Sequence, residues 1–486
     1  MVDEAYHQRL ARLEFLLAAD DVPLLGTLPG LTAQGAAEAV TLTWHDGPDG
    51  ALAARNLSLC RTDEHWRLER LSPAPETEWP ASTPAPVLAE GAALDALDHP
   101  LPDDLAPVVV FEGWRSAFHM QSAPQQGDVQ VSALHGMAAG RPIGRLWLTG
   151  RAPLLGPVAV SLAQVLRLGV PFASLALEAM QAARTGPLPA RHLGPPVVRP
   201  EQDVSASLAH IVSHLLDTML HWSTLAGIGN TPEPVHQMRV ATRRLRSALS
   251  IYKHVAACPE LAALVPMLKQ CAAQLGAARD WDVFLGGTGA DVSAAFPDSK
   301  PISAILRAGR RRRTSAYAGL RAYLASPAFR AMQVQGACCA SLHPWEMAAM
   351  AGLHEEVPGF AGEVLDKRLR RVRKAGRGFK HLPATALHEL RKDCKRLRYA
   401  AEFFASLFPA KPAKRFIRRL SRLQEELGLL NDATVAAGLM AQLGRTGQGF
   451  GGGVVEGFTA AAAGPARSRA AADWKRFRDA GRFWHG

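Results

Sequence analysis

His236-Gln-Met-Arg239-Val-Ala-Thr-Arg243-Arg244-Leu-Arg246 is met a second time as His388-Glu-Leu-Arg391-Lys392-Asp-Cys-Lys395-Arg396-Leu-Arg398. The order His, Arg, base, Arg-Leu-Arg is kept, at an offset of 152 residues. The same offset carries Tyr252 to Phe404 and Leu268 to Leu420. It also carries Leu275-Gly276, with Arg279-Asp280 behind it, to Leu427-Gly428 and Asn431-Asp432. One register held through so many positions marks an internal duplication.

Wound as a helix at about 100° per residue, His236, Arg239, Arg243 and Arg246 fall within about 80° of one another. Met238, Ala241, Leu245, Ala248, Leu249 and Tyr252 fall on the opposite side. His388, Arg391, Lys395 and Arg398 repeat the cationic phase. Each copy therefore has one apolar stripe for a core and one face of cations. Most charged helix faces only meet water. Solvation alone gives no reason for a fixed His-Arg-Arg-Arg phase kept in two copies.

The chain has 486 residues and a net charge of +11, unevenly spread. Residues 1–200 hold 14 Arg and no Lys against 21 acidic residues, whereas residues 201–486 hold 41 bases against 23 acids. A basic half of this kind calls for a polyanion: nucleic acid, an anionic membrane or a phosphate polymer. Six cysteines without regular spacing make no disulfide framework. The acidic start is unlike a secretory signal, and no run of about 18 apolar residues is evident, so the expectation is a cytoplasmic protein with no membrane partner.

Residues 1–190 alternate short apolar runs with turn signals and read as a mostly β domain. Leu13–Leu17, Ala39–Trp44, Val108–Phe111, Val129–Ala133 and Ile143–Leu148 are the predicted strands. Asn56–Cys60 and His65–Glu69 make a hairpin, and a helix is expected over about Val158–Ala183. A Pro/Gly-rich linker follows at 191–202. Residues 203–486 read as helical almost throughout, with repeats of about 203–340 and 355–486. The expected helices are 203–225, one beginning at Thr231-Pro232, 258–276, a short 280–285, 299–325, 358–380, 384–408, 410–428, 430–445 and 454–480. Gly447–Gly453 reads as a loop: it follows no strand and lacks the Lys-Ser/Thr of a phosphate cradle.

Asp46-Gly-Pro-Asp-Gly50, running on to Leu57-Ser-Leu59, resembles a stretch of the CYTH (triphosphate tunnel) family. The resemblance implies an antiparallel β tunnel that binds triphosphate with inward Arg and Lys and holds divalent metal with Glu. The family's Glu-x-Glu-x-Lys strand is matched here by Arg12, Glu14 and Leu16, of which Glu14 alone fits. Cys60-Arg61-Thr62 stands for its Arg-x-Arg, and the later strands lack paired glutamates. The expectation is a degenerate tunnel without catalytic residues, metal or cofactor.

The two His-Arg motifs, with Leu275-Gly276, Arg279-Asp280, Leu427-Gly428 and the closing Lys475-Arg-Phe-Arg478 and Phe483-Trp484, closely resemble the CHAD family. That resemblance implies two four-helix bundles related by a pseudo-twofold axis, with a basic groove between them. It also implies binding of inorganic polyphosphate, residence on polyphosphate granules and granule proteins as further partners. The whole is then an α+β two-domain chain.

The expected polyphosphate-binding set is His236, Arg239, Arg243, Arg244, Arg246, Arg279, His388, Arg391, Lys392, Lys395, Arg396 and Arg398. Lys367 and Arg371, near Arg370 and Lys374, supplement it, as do Arg415, Arg418 and Arg422. Guanidinium forks suit phosphate oxygens, and a row of cations suits a chain of them. Asp280 and Asp432 read as helix caps or as carboxylates that orient Arg. Two rivals stand beside this reading. Triphosphatase chemistry in the tunnel is opposed by Arg12 and Leu16. Nucleic-acid binding is opposed by the scarcity of aromatics on the basic faces, where Tyr399 is the one present.

Overall fold

The structure, a computed structural model, describes residues 6–62, 65–71, 83–96, 101, 104–121, 127–171, 173–183, 194–348 and 350–485. Its N-terminal half is an antiparallel sheet of nine strands among these residues. They are β1 (Leu10–Leu16), β2 (Leu31–Ala33), β3 (Glu38–Asp46), β4 (Leu57–Arg61), β5 (Trp66–Arg70), β6 (Val87–Glu90), β7 (Ala106–Gln121), β8 (Asp128–Ala138) and β9 (Arg141–Arg151). The order is β1-β9-β8-β7-β3-β4-β5-β6, with β2 pairing β7, so the sheet is a half-barrel with edges at β1 and β6. The expected β4–β5 hairpin forms, with Leu59 opposite Leu68.

Alternation decides what each face of the sheet meets. Leu13, Phe15, Val131, Ala133, Leu146 and Leu148 point one way, into the main core. Leu42, Trp44, Cys60, Phe111 and Leu134 point into the concave side. The expected helix 158–183 is in fact two. Helix α1 (Ala152–Val165) ends at Leu166, whose backbone is extended, and α2 (Leu175–Ala182) begins at Ser174, whose Oγ caps Leu177 N. Helix α2 places Ala176, Ala179 and Met180 in the concave core.

The remaining helices are α3 (Val204–Ile228), α4 (Pro232–Tyr252), α5 (Pro259–Gly286), α6 (Thr288–Ala295), α7 (Lys300–Leu324), α8 (Pro327–Leu342), α9 (Val357–Ala375), α10 (Ala384–Phe404), α11 (Ala410–Gln442) and α12 (Phe450–Arg478). Two pairs expected as separate helices are continuous: 258–276 with 280–285, and 410–428 with 430–445. No Pro or cap falls at either expected break, so nothing interrupts the i to i−4 ladder there. The glycine run is not a plain loop: Arg445–Gln448 forms a helical turn and α12 starts at Phe450. The Pro259–Ala295 stretch is apolar and long enough to cross a bilayer, which the sequence expectation overlooked. Here Leu261, Leu264, Leu268, Cys271 and Leu275 of α5 lie in the helical core.

The internal repeat appears in space as a pseudo-twofold relation. The starts of α3 and α9 exchange backbone hydrogen bonds: Val204 N donates to Glu355 O (3.0 Å) and Val357 N donates to Gln202 O (3.2 Å). Equivalent residues can meet only near the axis that relates them, and Tyr252 and Phe404 do so with ring centroids 6.4 Å apart. Phe360 closes that ring cluster, 5.0 Å from Tyr252.

Helix α8 was not expected, because Cys, Gly and Val give its sequence weak helical signals. It joins the halves by packing on α1. Arg9 donates to Ser341 O at 3.4 Å, and Gly336 lets Leu216 approach, since a Cβ there would lie 2.9 Å from Leu216 Cδ1. The described part of the Pro/Gly stretch is also pinned. Val198 is buried, Ser406 Oγ donates to Val198 O (2.7 Å), and His214 Nε2 donates to Gly194 O (2.7 Å).

Candidate functional site

Helices α4 and α10 pack against each other, and their apolar stripes fix the orientation of both. Met238, Ala241, Leu245, Ala248 and Tyr252 are buried on one, and Leu387, Leu390, Cys394, Leu397 and Phe404 on the other. The cationic phases of the two helices consequently come together in one cluster. Lys395 has Arg391 and Arg398 beside it on its own helix, and Arg243 and Arg239 across from it. Burial first, and then these four guanidiniums, push the Lys395 ammonium down to about 8. Arg243 and Arg398 approach the same Tyr399 ring, at 5.8 and 5.5 Å from its centroid. Tyr399 Oη, Arg243 Nε and Arg398 Nε are buried without a hydrogen-bond partner. Such groups retain unsatisfied capacity that an incoming acceptor can take up.

The far end of the cluster is built from α4 and α5. Burial, followed by Arg279, Arg243 and Arg239, holds the His236 imidazole below its ordinary pKa; Glu233 opposes them. Arg239 lies along α5, donating to Ala272 O at 3.4 Å. Gly276 makes room for it, since a Cβ there would lie 2.9 Å from Arg239 Nη1. The repeated Leu-Gly motif pointed to this glycine, but not to what it accommodates. At Gly428, the equivalent position, a Cβ would meet open space. Asp280 is not a cap: it lies within α5, and its carboxyl is raised by burial while Arg239 and Arg279 draw it down. The side chains of Asn431 and Asp432 lie outside the described residues.

The expected set is only partly gathered. His236, Arg239, Arg243, Arg279, Arg391, Lys395 and Arg398 form the common cluster. Arg246 shares their helical phase and is half-buried, and His388 is exposed at the start of α10. Arg244 and Arg396 point elsewhere, because each sits about 100° from Arg243 or Lys395, its immediate neighbour. Arg244 is tied to Glu402 (2.9 Å), and Glu402 also holds Arg398 (3.4 Å). Arg396 and Arg371 share Asp393, each at 2.9 Å. Lys367 lies with them in a second cleft. Lys392 is exposed and paired with Glu389 (2.7 Å). Arg415 lines a hollow of about 420 Å³ with Arg419 and Arg482, while Arg418 and Arg422 are exposed on α11. Tyr399 and Glu402 are the site residues that sequence reasoning passed over as contributors.

The β half-barrel carries the other candidate. Arg12, Glu14 and Leu16 share its concave face, as the strand period requires. Glu14 is not free to hold a metal: Arg145, fully buried, donates to it at 2.8 Å and is bonded on its other side by Glu178 of α2. Arg12 stacks on Trp147, 5.3 Å from the ring centroid. Trp44, Phe111 and Met180 occupy the space beyond. The concave face thus holds a buried ion pair and an apolar plug.

Residues 210–441 match the model of the CHAD domain. Uncharacterized proteins from two strains of Mycobacterium tuberculosis are 30% identical to this chain over 202 residues, a match that covers 39% of this chain and 37% of theirs. Among solved structures, the CHAD domain from the plant Ricinus communis is 27% identical, with a TM-score of 0.48 over 62% of this chain and 98% of that one. PptA from Streptomyces chartreusis is 16% identical, with a TM-score of 0.44 over 56% of this chain and 100% of that one. Over residues 210–441 the helical half of this chain is similar to CHAD domains, and the β half-barrel before it fits a CYTH-like tunnel.

Proposed function

We propose that the protein binds inorganic polyphosphate in the groove between α4 and α10, without chemical turnover, and resides with it on cytoplasmic granules. The observation that carries this reading is the meeting of two repeated cation rows around Lys395. Arg239, Arg243, Arg391 and Arg398 outnumber the nearby carboxylates of Asp280 and Glu402. A linear polyanion with about one charge per phosphate relieves that repulsion along its length, and forked guanidiniums suit its oxygens. The association of CHAD domains with polyphosphate agrees with the same ligand. The plugged half-barrel supports a scaffolding role for the N-terminal half.

Titration with long-chain polyphosphate at two salt concentrations tests the reading. Affinity should fall steeply with salt as counterions are released. The double variant Arg243→Glu/Lys395→Glu should bind polyphosphate far more weakly while keeping its circular dichroism, because neither side chain belongs to the apolar stripe. Undiminished affinity in that variant, or tighter binding of DNA than of polyphosphate at the same salt, would overturn it.

A further inference from the structure

On the side of α10 away from the groove, α4, α9 and α10 bound an open cleft of about 910 Å³. The repeat itself shows what is unusual there. Across the axis, Arg244 is neutralised by Glu402 at 2.9 Å. The offset of 152 carries Arg244 to Arg396 and Glu402 back to Ser250. Arg396 and Ser250 both line the cleft, so a hydroxyl stands where the other copy has the carboxylate. The cross-helix ion pair of one half has no counterpart in the other.

Cations have been added at the same place. The α3 and α9 starts are related by an offset of 153, which carries Leu215 to Arg368 and Thr218 to Arg371. Leu215 is buried core, whereas Arg368 and Arg371 line the cleft. One buried carboxylate, Asp393, serves both Arg371 and Arg396. The Arg368 guanidinium donates to a backbone carbonyl, Arg396 O, at 2.9 Å. Its pKa is pushed down to about 10 by burial, then by Arg396 and Arg371, which outweigh Asp393. Of the other acids on the lining, Asp366 is engaged by Trp484 and His485 at 3.0 and 2.9 Å, and Glu355 and Glu363 complete the wall.

We propose that this cleft is a second oxyanion site, separate from the groove, that takes a phosphate group of a condensed phosphate on Arg368, Arg371 and Arg396. The substitution of Ser250 for the carboxylate opens the site, and the guanidiniums of α9 and α10 supply its charge. The proposal shares its ligand class with the groove reading but rests on different residues. The phosphate group can come from a short oligophosphate bound by itself or from a long chain that also occupies the groove.

Calorimetry on the full chain separates these sources, with tripolyphosphate and long-chain polyphosphate as probes. Wild type should bind tripolyphosphate at two sites. Ser250→Glu, at an exposed position, restores the missing carboxylate and should weaken one site at least about tenfold while leaving the groove intact. Arg368→Met should repeat that loss, which guards against a peculiarity of the first variant. Arg243→Glu/Lys395→Glu should keep the Ser250-sensitive site. If long-chain affinity also drops in Ser250→Glu, one chain reaches both sites; if it stays level, the cleft takes short or separate chains. Either result keeps the site. A single tripolyphosphate site in wild type, or unchanged tripolyphosphate binding in Ser250→Glu, overturns the proposal. Neither result touches the groove, which falls if the Arg243/Lys395 variant binds the long chain as tightly as wild type does.

Discussion

Lys395→Met is expected to make the unliganded protein more stable and at the same time a poorer binder of polyphosphate. The Lys395 ammonium lies among Arg391, Arg243, Arg239 and Arg398, and its pKa falls from 10.5 to about 8. A displacement of that size corresponds to about 3 kcal/mol of repulsion and lost hydration in the folded state. Lys395 is only partly buried, and solvent screening leaves about half of that figure. Methionine keeps most of the stem and removes the charge, so a gain of about 1–2 kcal/mol and a few degrees in Tm is expected in phosphate-free buffer at pH 7. The sign can be checked by pH. A base whose folded pKa is depressed costs stability while the folded state must carry its proton. Wild type should therefore gain stability as pH rises from about 8 to 10.5, and the advantage of the variant should shrink over that window. Urea unfolding of both proteins at pH 7 and at pH 10.5 measures it. A destabilised variant at pH 7, or a difference that ignores pH, would refute the idea of uncompensated charge in the groove.

Other expectations follow from single contacts. Gly276→Ala should push Arg239 aside and weaken polyphosphate binding by about three- to tenfold. The added helix propensity should leave stability level or slightly raised, so titration and thermal melting should move apart. Glu14→Gln should cost about 3 kcal/mol in urea unfolding by leaving Arg145 short of charge in the half-barrel, with polyphosphate affinity unaltered. Incubation with inorganic triphosphate and Mg²⁺ or Mn²⁺ should release no phosphate above buffer, because Glu14 is engaged and α2 plugs the concave face. Polyphosphate binding should lose strength above pH 8, since a bound anion raises the pKa of Lys395 and that gain is present only where free Lys395 has begun the titration protonated; affinity measured from pH 7 to 10 checks it.

Much of this could be read along the chain because the signals are local. The His-Arg phase fixes which side of α4 and α10 is cationic, since apolar and basic residues recur at helical spacing. The strands at Leu13, Thr41, Val131 and Leu146 follow from period-two alternation between turns. Helix ends were less legible: α5 and α11 continue through positions where a break was expected, and α8 escaped because its Cys-Gly-Val content carries little propensity of its own. Tertiary burial against α1 and α3 sustains it.

The duplication, the charge asymmetry and the cation rows were determined by the sequence alone, because each is a property of residues at fixed spacing along one chain. Only the tertiary structure decided that the two rows meet in one cluster, that Arg244 and Arg396 pair outside it, and that Glu14 spends its charge on Arg145. Those outcomes depend on which distant side chains meet, at separations of 131 residues for Glu14 and Arg145 and 158 for Arg244 and Glu402. Electrostatic fate is set by the nearest opposite charge in space, and helical spacing tells only the direction in which a side chain sets out.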